Sequence, residues 1–278
     1  MKTLRAGLIG SHIQATRLPR ALALMSEDAG IALDFELIDT ADRPDFDFTA
    51  TVRDLITRGW TGVTVTHPYK TDAATFAGDA MPPAIRPLGA SNTIVFNPRL
   101  AAHNTDYTGF LGVWRAHMGD TAPGAVAMAG AGGVARALGF ALRDLGASDI
   151  ALWDVLPDRA SALASAIGDP ARAIPATAST DACRAADGLV NATALGMAYA
   201  PGTAFAPVAV GGQAWAFDAV YTPTNTAFLT AARDAGLRTI SGFDLFRHMA
   251  IGSFTAYTGI VPDPETVLPR LETLAPDT

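Results

Sequence analysis

Apolar positions along the chain fall into short continuous runs rich in β-branched residues, separated by Ala/Leu-rich stretches whose apolar positions recur at helical spacing. A parallel strand is covered on both faces and therefore reads as an unbroken apolar run, so this alternation predicts an α/β fold with parallel strands. The first series of strand candidates is 4–9 (LRAGLI), 33–38 (LDFELI), 62–66 (GVTVT) and 92–96 (NTIVF), with helical stretches around 17–28 and 50–59. A second series follows Pro123, with strands near 124–129, 149–153, 188–191 and 214–218 and helices near 133–145, 158–167 and 225–235. From residue 242 the tail reads as helical again, with Phe243, Phe246, Met249 and Ala250 spaced for one apolar face. Asp263 is a suitable cap for a last helix that starts at Pro264. A break near 104–123 splits the chain into two α/β halves, with no internal repeat or low-complexity linker between them.

Composition narrows the function classes. The 278 residues are 49% hydrophobic and 17% charged, which suits one large or two modest globular domains. A net charge of -7 argues against nucleic acid or an anionic membrane as partner, since both require a basic face. Cys183 is the single cysteine, so no disulfide forms within the chain, and the five histidines lack metal-ligand spacing; no metal site is expected. Neither a signal peptide nor an apolar run of membrane-spanning length is visible, and the expectation is a soluble, cytoplasmic protein.

The strongest local motif is AMAGAGGVARALGFAL (127–142), which carries Gly130-x-Gly132-x-x-Ala135 between a strand and a helix. This is the dinucleotide fingerprint: Gly130 permits the tight turn, Gly132 lets the backbone approach a pyrophosphate, and Ala135 keeps helix and strand close. The free N–H groups of the helix start, over Ala131, Gly132, Gly133 and Val134, face the anion. The next strand ends in Asp154, 22 residues after Gly132, placed to accept hydrogen bonds from the adenine-ribose hydroxyls and to repel a 2′-phosphate. Val155, Leu156, Pro157 and Asp158 follow it and no cation arrives before Arg159, so NAD is favoured over NADP. An ordinary glycine turn and a solvated strand-end Asp are the plainer readings of these two features.

Five further stretches carry a resemblance. TGVTVTHPYK (61–70), LGASNTIVF (88–96), HNTDYTGF (103–110), NATALGM (191–197) and FDAVYTPTNTAFL (217–229) resemble, in this order, the conserved segments of the shikimate/quinate dehydrogenase family. The resemblance implies an N-terminal α/β substrate domain (1–104 plus 243–278) and a Rossmann-type NAD(P)-binding domain (105–242), with the C-terminal helices packing back on the first. It also implies reversible hydride transfer between NAD(P) and a ring hydroxyl of a shikimate- or quinate-like alicyclic acid, in a monomer or homodimer. Carried over by motif, Lys70 and Asp106 are the catalytic pair. Thr16, Thr66, Asn92, Tyr221 and Met249 take substrate-binding positions, and Asn191, Thr193 and Gly242 face the cofactor. The chemistry wants such groups, because a secondary alcohol loses its hydroxyl proton as hydride leaves the same carbon. His67 and His103 flank the catalytic motifs as wall residues with no assigned chemistry.

The match departs from the family at the substrate pocket. Where two hydroxyl residues usually precede a proline and grip the substrate carboxylate, this chain has Thr16 and Leu18 before Pro19. Where a Gln usually reaches a ring hydroxyl, it has Met249. These changes imply either a less polar substrate or a carboxylate site moved to other residues, with Arg17 and Arg20 as the nearby cations. The alternative function is a non-catalytic NAD-binding member that has lost its substrate.

Overall fold

Side chains of the central strands are buried on both faces of two separate sheets, each the centre of one compact unit in a computed structural model that describes residues 2–276, while the edge strands are partly exposed. One unit comprises the chain through Thr105 together with Arg247–Leu274, and the other comprises Asp106–Phe246.

The first unit contains β1 (Thr3–Gly10), α1 (Leu18–Asp28), β2 (Ala32–Asp39), α2 (Phe48–Thr57), β3 (Gly62–Val65), α3 (Lys70–Ala77), β4 (Thr93–Val95) and β5 (Ala101–His103). Its sheet has the order β2-β1-β3-β4-β5. β1 pairs in parallel with β2 from Thr3↔Ala32 to Gly10↔Asp39, and also with β3. The expectation of parallel strands fails at the other edge, where β4 runs antiparallel to both β3 and β5. The few residues between β4 and β5 make a hairpin, because a parallel return needs a crossover of a dozen or more residues. Trp60 anchors the core with Ile9, Val52, Leu55, Val63 and Ile94.

The second unit runs α4 (Thr105–Met118), β6 (Ala125–Ala129), α5 (Gly133–Asp144), β7 (Asp149–Trp153), α6 (Pro157–Ile167), β8 (Ala171–Ala173), α7 (Ser179–Ala185), β9 (Gly188–Asn191), β10 (Trp215–Asp218), α8 (Ala227–Asp234) and β11 (Arg238–Ile240). Its six strands are all parallel in the order β11-β10-β9-β6-β7-β8. That is the doubly wound Rossmann arrangement, in which the chain reverses direction across the sheet between β6 and β9. A helix, α4, fills most of the expected break. Its Trp114 ring meets Trp215 edge-on at 4.8 Å and its Phe110 meets Phe217 at 5.0 Å, so aromatic packing outweighs the local cost of Gly109 and Gly112.

The chain closes with α9 (Gly242–Thr258) and α10 (Pro264–Glu272). From Arg247 onward these helices pack on the first unit, as the resemblance implies. The Tyr257 hydroxyl lies 2.6 Å from Thr64 Oγ1 with both groups buried, Arg247 pairs with Glu272 at 2.7 Å, and Arg270 pairs with Asp28 of α1. Asp263 caps α10 by accepting from Glu265 N.

Tyr257→Phe should leave the Thr64 hydroxyl buried without its partner and cost about 1–3 kcal/mol. Urea denaturation of the two proteins checks this, and an unchanged midpoint would show that the bond contributes nothing.

Candidate active site

In the first unit the candidate residues gather at one end of the sheet. Asp39, the last residue of β2, accepts from His12 N at 3.0 Å, Ile13 N at 3.2 Å, Ala41 N at 3.1 Å and Gln14 Nε2 at 3.0 Å. This one carboxylate shapes the loop that follows β1, including His12 in the left-handed region at φ 58. Motif reading passed over Asp39, although an acidic residue ending a strand was its available signal. Thr16 is half-buried, and its Oγ1 accepts from Leu18 N at 3.3 Å. Leu18 is only 2% exposed and lies on the inner face of α1. It therefore packs with the buried face of α1, beside Ala21, Leu22 and Met25. Arg17 is half-buried with Nη1 directed to Ala15 O, and Arg20 is exposed.

Thr66 follows β3, with its N donating to Ile9 O and its methyl group filling the space that a Cβ at Gly10 would need. Lys70 is half-buried at the start of α3, and its carbonyl accepts from Ser91 N at 2.9 Å, which sets Lys70 beside the segment that carries Asn92. Asn92 is 1% exposed. Its Oδ1 accepts from Thr105 N at 2.7 Å, Thr105 Oγ1 at 3.1 Å and Thr93 Oγ1 at 3.3 Å. A backbone N–H can only donate, so the side-chain amide has one orientation. That orientation leaves Nδ2 a buried donor with no hydrogen-bond partner among the described residues. Ser253 of α9 supports the same cluster through Thr93 and Thr105, and Met249 stands half-buried one turn before it. His67 is exposed. His103 is half-buried, its pKa lowered by desolvation.

In the second unit Gly130 (φ +102) closes on the next strand's loop, where a Cβ would lie 2.7 Å from Ala192 O and 3.1 Å from Thr193 Cγ2. Gly132 begins α5 with no side-chain cap, and a Cβ there would meet nothing within 4 Å. Uncapped N–H groups beside open space are what a pyrophosphate requires, so the residues present fit a dinucleotide. Gly133 is exposed, Val134 is half-buried, and Ala135 is packed against the sheet. Arg136, in the first turn of α5, is a half-buried cation that the motif did not include. Asp154 accepts from Ala131 N at 2.8 Å and Leu156 N at 2.9 Å, one on each oxygen, and so ties the glycine loop to the end of β7. Each oxygen keeps a second lone pair.

Asp106 is 5% exposed in the first turn of α4, where the helix dipole favours a carboxylate. Tyr221 stacks on Phe246 at 5.5 Å. Asn191 is fully buried, and its amide is saturated: Oδ1 accepts from Thr193 N and Thr193 Oγ1, and Nδ2 donates to Leu195 O and Asp218 Oδ1. Expected to face a cofactor, the Asn191 side chain has no hydrogen-bonding capacity left for one. Thr193 Oγ1 in turn accepts from Leu195 N. Asp218, which lies in the FDAVYTPTNTAFL motif but is given no role there, also accepts from Val220 N at 3.0 Å and Thr226 Oγ1 at 2.6 Å. Among the described residues no group of three or more His, Cys, Asp or Glu is placed to hold a metal, and no helix is long and apolar enough to cross a membrane.

A family model described as the shikimate dehydrogenase substrate binding domain matches residues 8–94. A quinate/shikimate dehydrogenase (NAD(+)) from Corynebacterium efficiens is 35% identical over 268 residues, which is 93% of this chain and 94% of that protein. The chain belongs to the shikimate/quinate dehydrogenase family. A shikimate dehydrogenase (NADP(+)) from Acidiphilium cryptum is 39% identical over 95% of this chain and 94% of its own. The structure of quinate dehydrogenase from Corynebacterium glutamicum in complex with NAD superposes with a TM-score of 0.91 at 32% identity, covering 99% of both chains. The shikimate/quinate dehydrogenase fold is thus retained from end to end, including the two segments where the carboxylate and hydroxyl contacts depart from the pattern.

Burial of Asp218 outweighs its donors and pushes its carboxyl up from 3.8 to about 6. The unfolded chain releases this proton near the ordinary value and the folded chain only near 6, so between those values the folded state holds more protons and loses stability as pH rises. Relative to Asp218→Asn, the parent chain should lose up to about 3 kcal/mol across that interval and little beyond it. Urea midpoints of both proteins from pH 4.5 to 7 check the sign; a difference that grows in favour of the parent would contradict it.

Proposed function

We propose that this chain is an NAD-linked dehydrogenase that interconverts a ring hydroxyl and a ketone on a shikimate- or quinate-like alicyclic acid. The observation that carries the reading is the unmatched Nδ2 of Asn92, a buried donor held in one orientation beside the Lys70 segment. A buried donor left unpaired costs about 1–3 kcal/mol, and a substrate hydroxyl is an acceptor that recovers it. The first unit then binds the ring acid, in keeping with the family model that matches it, and the second binds the dinucleotide.

Bound NAD supplies the hydride acceptor. Lys70 takes the hydroxyl proton as the carbon loses its hydride and returns it in the reverse direction. Asp106 accepts a hydrogen bond from a neighbouring substrate hydroxyl, Thr66 and Thr16 contribute hydroxyl contacts, and Tyr221 offers an aromatic wall. The uncapped start of α5, at Gly132, Gly133 and Val134, holds the pyrophosphate, while the N–H groups of Gly130 and Ala131 are taken by Trp153 O and Asp154. Asp154 favours NAD, because its lone pairs suit ribose hydroxyls and its charge opposes a 2′-phosphate. The exposed Val155 and Leu156 beside it supply no compensating cation. With Leu18 turned into the core and Met249 in α9, the ring acid meets fewer polar groups, which favours a less hydroxylated relative of quinate.

Incubation with ring hydroxy acids and NAD or NADP in parallel should give NADH formation, and Lys70→Ala should lower kcat by roughly a hundredfold or more while NADH still binds. NADH binding without turnover of any ring acid, indifferent to Lys70, would establish the non-catalytic alternative instead. Asp154→Ser should shift the kcat/KM ratio toward NADP, and an unchanged ratio would remove Asp154 from cofactor choice. Asn92→Ala should raise KM for the ring acid by about tenfold, the worth of one well-placed hydrogen bond.

A further inference from the structure

Asp218 is 0% exposed at the end of β10, and its carboxylate accepts from Asn191, Val220 and Thr226, which belong to segments that leave the same end of the sheet. Through Oδ1 it holds Asn191 Nδ2 and Val220 N, and through Oδ2 it holds Thr226 Oγ1. Two of these arms end on peptides that the glycines of the site approach, and the third on a helix cap. Asn191 passes the constraint to Thr193 and Leu195, and so fixes the Ala192–Thr193 peptide against which Gly130 closes. Val220 fixes the Ala219–Val220 peptide, and Gly242 approaches that peptide so closely that a Cβ would collide with the Ala219 carbonyl and lie 2.7 Å from Val220 C. Thr226 caps α8 by accepting from Leu229 N at 3.1 Å.

We propose that Asp218 is the positioning residue of the dinucleotide cradle, setting through one carboxylate the two peptides on which Gly130 and Gly242 rest. The inference depends on the dinucleotide reading of the second unit. Both glycine contacts are backbone to backbone, so a movement of either peptide by a few tenths of an ångström moves the glycine with it. For stability alone an apolar side chain of similar volume serves as well as a buried charge or better. A carboxylate that satisfies donors from the end of β9 and from the connection after β10 instead specifies where both segments stand. Asp218 touches neither reacting atoms nor cofactor in this account and acts only through Asn191 and Val220.

The test measures NADH affinity directly, by fluorescence titration of the full chain, alongside KM for the ring acid. Asp218→Leu removes both acceptor oxygens, and with them all three hydrogen bonds, and should raise the NADH Kd by about tenfold or more while the ring-acid KM stays within about twofold. Asp218→Asn keeps an acceptor for Asn191 and Val220, with its NH2 group turned to Thr226 Oγ1, and should return the Kd to within about threefold of the parent. A merely structural residue would lower yield and Tm and leave the Kd of the folded protein unchanged; that result for Asp218→Leu overturns the inference. If Asp218→Leu does not fold, Asn191→Ala cuts only the arm to Ala192–Thr193. It should raise the Kd by a similar factor, and an unchanged Kd there overturns the inference equally. Failure of the parent chain to bind NADH overturns the dinucleotide reading and this inference with it, whereas binding by the parent together with unchanged variants overturns this inference alone.

Discussion

Parallel strands all end on the same side of a sheet, and the peptide groups just beyond them have lost their ladder partners. Satisfying those groups is the constraint on which the rest of this molecule depends. In both units the answer is a carboxylate or amide at a strand end. Asp39 after β2 gathers three backbone N–H groups, Asp154 after β7 gathers two, and Asn191 and Asp218 close β9 and β10 together. Because side chains rather than ladder bonds set these loops, the loops take irregular shapes without leaving buried polar groups unpaired. Ligand sites of open α/β sheets lie at this end for the same reason.

The two units use this arrangement differently. In the second, saturation is the rule: Asn191 has every donor and acceptor filled, and glycines close on the peptides it holds. What remains for a ligand is backbone N–H at the start of α5, suited to an anion of any attached chemistry. In the first unit a buried amide donor beside the Lys70 segment is unmatched. The Asn92 carbonyl is held by Thr105 and Thr93, which leaves Nδ2 as the buried group with unmet demand. A generic anion cradle and a selective, oriented donor are the two kinds of recognition that a dehydrogenase of a hydroxylated ring needs.

Leu18, expected at a substrate pocket, also carries part of the packing of α1. The position begins α1, and an apolar side chain there turns inward with Ala21, Leu22 and Met25. The hydroxyl retained at Thr16 meanwhile bonds to the Leu18 N–H. The conformation of this loop therefore rests on the Thr16 bond to Leu18 N and on the backbone groups that Asp39 holds. Sequence motifs place residues in order along a loop, but which of them face outward depends on the helix that the loop enters.

Local physical chemistry along the chain determined most of the elements. Continuous apolar runs marked the long strands, the Gly130-x-Gly132 turn marked the dinucleotide loop, and Asp263 with Pro264 marked the last helix start. The motif order determined the family, and with it Lys70, Asp106 and Asn92 as the residues to examine. The short strands β5, β8 and β11 were not legible, because three residues carry no period and exist only by pairing with a neighbour. The helix α4 was not legible either, since its glycines argue against helix and only the contacts of Phe110 and Trp114 with β10 outweigh them. Tertiary structure alone decided the antiparallel edge, the inward turn of Leu18, the saturation of Asn191 and the single unmet donor of Asn92. Each of these depends on which groups meet across long separations in the chain, and hydrogen-bond satisfaction is settled only when every partner is in place.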